Sequence, residues 1–99
     1  MEGRNMSRVG RLGEYDVVVY SDDEVSIPHF HVIDSETKGG RFNVALRLND
    51  LSICSHAVCN SHLDHELLVE ILAFMEAQCR NVHYKNNYEY ATSLWQDNN

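Results

Sequence analysis

At 99 residues, with 43% hydrophobic and 23% charged residues, the chain is long enough for one small core and too short for two domains. Its formal net charge of -7 argues against a nucleic-acid backbone as the main partner, because phosphate contacts need clustered Lys and Arg. No apolar run reaches the ~18–20 residues of a membrane span, and Met1 to Gly13 has no apolar stretch of the signal-peptide kind.

The charge is uneven. Residues 1–13 carry Arg4, Arg8 and Arg11 against Glu2, while the remainder is strongly acidic. Rich in Gly, Arg, Ser and Asn and without a hydrophobic period, 1–13 is expected to be a flexible segment, its positive charge available to an acidic partner or to the protein's own surface. A single domain is expected over 14–97.

From Tyr15 the pattern changes: Tyr15, Val17 and Val19 alternate with Asp16, Val18 and Tyr20, which predicts a first strand. A polar turn at Ser21 to Glu24 follows, and Pro28 keeps Ile27 extended. The second strand runs through Phe30 to Asp34. Period-2 geometry sends Phe30 and Val32 into a core and His29, His31 and Ile33 to the other face. Lys38-Gly39-Gly40 supplies a turn. The third strand alternates cleanly, with Phe42, Val44, Leu46 and Leu48 opposite Asn43, Ala45, Arg47 and Asn49. Leu51 to Cys54 is expected to add a short fourth strand.

Leu67, Leu68, Ile71, Leu72, Phe74, Met75 and Cys79 then recur at helical spacing, with Glu66, Glu70, Ala73, Ala77 and Arg80 on the opposite side. Ser61 with Asp64 three residues later predicts an N-terminal cap, and Glu76 with Arg80 an i,i+4 pair near the other end. A second helix is expected from Asn87 to Gln96, with Tyr88, Ala91 and Trp95 on its inner face and Trp95 as a lid on the core. The predicted class is α+β: a three- to four-stranded antiparallel meander packed on one long amphipathic helix, plus a short C-terminal helix.

Three groups of residues carry chemistry. The sheet face away from the helices gathers His29, His31, Asn43, Arg47, Asp16 and Tyr20. Imidazoles beside a guanidinium suit an anion or a peptide carboxylate, so a binding face for another protein is the leading expectation. The same His29 and His31, one pleat apart, can also chelate Zn²⁺ or another divalent ion. The third group is Cys54, His56, Cys59, His62 and His65: five metal-capable side chains in twelve residues, with His62 and His65 three apart. Its spacing matches no zinc ribbon or finger. Cys59 with His62 is also a thiol–imidazole pair, but no phosphate loop and no carboxylate pair accompanies it. The alternative to a binding protein is therefore a metal-dependent protein, a hydrolase included. Three cysteines cannot all pair within one chain, which points to free thiols and an expected cytoplasmic location.

The run Pro28-His29-Phe30-His31-Val32, followed by the alternating strand Phe42 to Leu48, an amphipathic helix and the terminal Ser93-Leu94-Trp95, resembles a small bacterial family of unknown function. The resemblance spans about 15–96. Such chains usually carry a second proline where Ile27 stands, and a shorter loop before the long helix without the Cys and His cluster. Some of these chains look like one half of toxin–antitoxin-like gene pairs, and the resemblance implies a small interaction or regulatory protein.

Overall fold

The β-branched alternation of Tyr15–Tyr20 and His29–Asp34 and the apolar alternation of Asn43–Arg47 build three neighbouring strands, and a fourth precedes them. In a computed structural model, which describes residues 6–21, 26–34, 42–54 and 61–99, these are β1 (Met6–Leu12), β2 (Tyr15–Tyr20), β3 (His29–Asp34) and β4 (Asn43–Arg47). They form one antiparallel sheet in the order β1-β2-β3-β4. Two helices follow, α1 (His65–Glu76) and α2 (Asn87–Asn98). The class is α+β, as expected.

The first strand overturns the expectation for 1–13 over its described part. Residues 6–12 pair with β2 from Met6↔Tyr20 to Leu12↔Tyr15, with Val9 as an extra residue between the Arg8↔Val18 and Gly10↔Val17 pairs. This bulge hides the strand from a period-2 search. It places apolar residues at 6, 9 and 12 instead of at alternate positions. Gly13 turns the chain into β2 with φ 61°, and no neighbouring non-glycine residue shares a positive φ. Such a turn, glycine first, is the type II′ pattern.

The fourth strand expected over 51–54 reduces to an isolated bridge, Leu46↔Ile53, with Cys54 N–H donating to Ala45 O at 2.9 Å. Leu51 is the reason. It adopts left-handed backbone (φ 60°), and its N–H donates to Arg47 O, so the chain coils at the end of β4 before it can run back alongside.

One face of the sheet presents Val17, Val19, Phe30, Val32, Val44 and Leu46, all fully buried against Ile71 and Met75 of α1 and Ala91 and Trp95 of α2. At Gly10 the strand and α1 lie so close that a Cβ would stand 2.8 Å from Phe74 Cζ. The two helices are equal in length, at 12 residues each, so the expected pairing of one long and one short helix does not hold. Helix α1 begins later than expected because Asp64 alone caps it, Oδ1 accepting from Leu67 N–H at 2.8 Å, while Ser61 bonds to β4. It also ends earlier, at Glu76. Arg80 therefore lies beyond the helix, and its Nη2 donates to Arg8 O on β1 at 2.9 Å. Leu72, placed by its spacing on the buried side, is 37% exposed. Among the described residues, no helix is long and apolar enough to cross a membrane.

Candidate functional site

The strand register sets the second face of the sheet. His29 pairs with Arg47, His31 with Ala45 and with Val18, and Ile33 with Asn43 and with Asp16. Directly opposed residues share a face, so His29, His31, Asn43, Arg47, Asp16 and Tyr20 stand together on the face opposite Val17, Phe30 and Val44.

The face is not open and wet, as antiparallel sheets commonly are on one side. Val18 and Ala45 at its centre are fully buried, His29 is 1% exposed, His31 5% and Asp16 7%. The polar groups of this face are therefore mostly withdrawn from solvent: His29, His31 and Asp16 are buried, while Tyr20, Asn43 and Arg47 are half-buried around them.

Two hydrogen bonds orient the imidazoles. His29 Nδ1 lies 2.6 Å from Ile27 O. A carbonyl oxygen carries no proton, so Nδ1–H is the donor, and the bend at Ile27 ahead of Pro28 is what brings that carbonyl into reach. His31 Nδ1 lies 2.8 Å from Asn43 Oδ1. Asn43 is itself held by Ser61, whose Oγ accepts from Asn43 N–H and whose N–H donates to Asn43 O. Ser61, which the sequence suggested as a helix cap, instead positions the asparagine that orients His31.

The rings form a continuous row. Tyr20 meets His31 edge-on with centroids 4.8 Å apart, His31 meets His29 at 5.2 Å, and His29 meets Trp95 at 5.0 Å. Trp95 is thus more than the core lid its helical spacing implies. From α2 it reaches the first residue of β3, a contact that no local pattern announces.

Arg47 is set at the same end of the sheet by its backbone. Its N–H donates to Ser52 O at 2.8 Å and its carbonyl accepts from Leu51 N–H, while Leu48 N–H donates to Pro28 O, tying the end of β4 to the residue before His29. Arg47 is half-buried, and its Nε, buried, has no hydrogen-bond partner among the described residues. Its charge also reaches Asp50, whose carboxyl is held below the usual carboxylate range first by the Ser52 hydroxyl, then by the Ser52 N–H, with Arg47 adding to the effect.

Asp16 is committed elsewhere. Its Oδ1 lies 3.4 Å from Arg8 Nη1 and 3.8 Å from Arg11 Nε, so part of the N-terminal positive charge rests on the protein's own sheet.

The Cys and His group is not brought together among the described residues. His56 and Cys59 lie outside them. Cys54 is buried beside β4, and His62 and His65 are exposed around the start of α1. The described residues contain no group of three or more His, Cys, Asp or Glu side chains able to share a metal ion.

No family model matches the chain, and neither a curated protein nor a solved structure is significantly similar to it.

Proposed function

We propose that the protein is a small binding protein that takes an anionic group, a carboxylate of a partner protein, at the His29–Arg47 end of the sheet. One observation carries this reading: the buried Arg47 Nε–H has no acceptor among the described residues. A buried guanidinium donor without an acceptor is costly. A carboxylate offers two acceptor oxygens in the geometry a guanidinium matches. The chain's overall charge of -7 repels anions at long range, so recognition here is local and short-ranged. The chemistry fits a regulatory role toward another protein in the cytoplasm, the kind of role that the resemblance through Pro28 to Val32 implies.

A divalent ion on His29 and His31 is the second reading. It is favoured by the hydrogen bonds at both Nδ1 atoms, the usual support behind metal-bound imidazoles. Against it, Arg47 stands opposite His29 and sets a positive charge where a cation would sit.

Titration of the ¹⁵N-labelled protein separates the two. The probes are a short peptide with a free C-terminal carboxylate, the same peptide amidated, and Zn²⁺ alone. Carboxylate-dependent shifts around His29 and Arg47, lost in Arg47→Gln, are expected. Equal binding of the amidated peptide refutes the carboxylate reading, and stoichiometric Zn²⁺ lost in His29→Ala/His31→Ala replaces it with the second.

A further inference from the structure

The connection between α1 and α2 is built as a fixed loop. Its base is closed by Asn87, buried at 5% exposure, whose N–H donates to Ala77 O and whose Nδ2 donates to Phe74 O. Asn81 holds the interior, accepting from His83 N–H through Oδ1 and from Tyr84 N–H through its carbonyl. Tyr84 pins the loop onto α2, with its hydroxyl 2.9 Å from Ser93 Oγ and its ring 5.1 Å from that of Tyr90. Glu89 Oε1 accepts from Lys85 N–H at 2.7 Å. Compact loops with close, tied ends are frequent sites of function.

Between this loop and the outer side of α2 lies a hollow of ≈ 570 Å³, within the ~300–1,000 Å³ range of small-molecule sites. Its wall includes Tyr84, Lys85, Tyr88, Glu89, Ser93 and Gln96. Lys85 and Glu89 flank it with opposite charges beside the imidazole of His83, so neither a strongly acidic nor a strongly basic ligand is preferred. The Tyr84–Ser93 hydroxyl pair keeps one O–H outside its mutual bond together with acceptor lone pairs, and the amide of Gln96 both donates and accepts. The groups that answer such a lining are themselves donor and acceptor at once, as alcohol hydroxyls are. Tyr84 and Tyr88, both half-buried, add aromatic surface with a polar tip, suited to the apolar C–H face of a ring.

We propose that this hollow binds a small neutral saccharide of one or two rings. The site is separate from the His29–Arg47 end of the sheet, and neither proposal depends on the other.

The test is an amide-shift titration of the full chain with glucose, galactose, N-acetylglucosamine, maltose and lactose, each into the tens of millimolar, with inorganic phosphate and acetate as charged controls. Saturable shifts confined to the amides around Lys85, Glu89, Ser93 and Gln96 are expected for at least one sugar. Gln96→Ala, at an exposed position, weakens that binding about tenfold, the scale of one lost hydrogen bond. Lys85→Ala, also exposed, weakens it in the same direction. The absence of saturable shifts with every sugar overturns the proposal. So do equal shifts with phosphate or acetate, or sugar binding that both variants leave unchanged. Arg47→Gln, which tests the carboxylate site, leaves sugar binding at its wild-type strength.

Discussion

His29 and Arg47 are direct partners across β3 and β4, and both are anchored by backbone carbonyls and amides of the two turns that meet there. Ile27 O orients the imidazole, Ser52 O and Leu51 N–H hold the arginine, and Pro28 O joins the two turns through Leu48 N–H. A cation placed this firmly, with a buried donor lacking an acceptor among the described residues, carries a stability cost, the one that the proposed carboxylate would relieve.

That cost is measurable. Arg47→Met keeps the length of the side chain and removes the buried Nε–H. Urea unfolding is expected to show the variant as stable as the wild type or more so, by about 1 kcal/mol, while carboxylate binding is lost. A loss of more than about 2 kcal/mol in a folded Arg47→Met protein would mean that the guanidinium is already satisfied in the free protein.

The imidazole of His29 is part of the packing. His29 is enclosed between Trp95 and His31, so His29→Ala leaves a cavity and is expected to destabilise by about 2–4 kcal/mol, the range of large-to-small core changes. Long-range ¹⁵N–¹H correlation spectra are expected to place a proton on Nδ1 of His29. An Nε2–H tautomer alone would contradict the bond to Ile27 O.

Gly10 leaves no room for a side chain between β1 and α1. Gly10→Ala places a methyl group 2.8 Å from Phe74 Cζ and is expected to cost about 1–3 kcal/mol. The Phe74→Leu change shortens the ring that clashes, so the double variant regains part of the loss. Purely additive effects in denaturant unfolding would show that the contact is not the cause.

Asp50 couples the turn behind Arg47 to pH. Its carboxyl is lowered by the Ser52 hydroxyl and N–H, so it contributes stability above its unfolded pKa, and that contribution is lost as pH falls through the lower, folded value. Thermal unfolding followed from neutral pH into the acid range is expected to decline less steeply in Ser52→Ala than in the wild type. A side-chain titration of Asp50 by NMR should move upward in that variant. Identical curves would mean that the Ser52 hydroxyl does not hold the carboxylate.

Sequence by itself determined the α+β class, the faces of β2, β3 and β4, and, Leu72 apart, the inner residues of both helices. Each of these depends on a hydrophobic period that repeats within one element, as in Phe30 and Val32, Val44 and Leu46, or Ala91 and Trp95. The gathering of His29, His31, Asn43 and Arg47 on one face was legible for the same reason, since alternation combined with in-order pairing is enough to bring them together. Tertiary structure decided what lies between elements. The bulge at Val9 erased the period of β1, and Leu51 in left-handed backbone stopped the expected strand after β4. Asp64 took the cap that Ser61 gave up to hold Asn43. The closing of the histidine face, the approach of Trp95 to His29 and the loop tied by Asn87 rest on contacts between distant segments. Such contacts are fixed by packing and by the satisfaction of buried polar groups, and neither leaves a period in the chain.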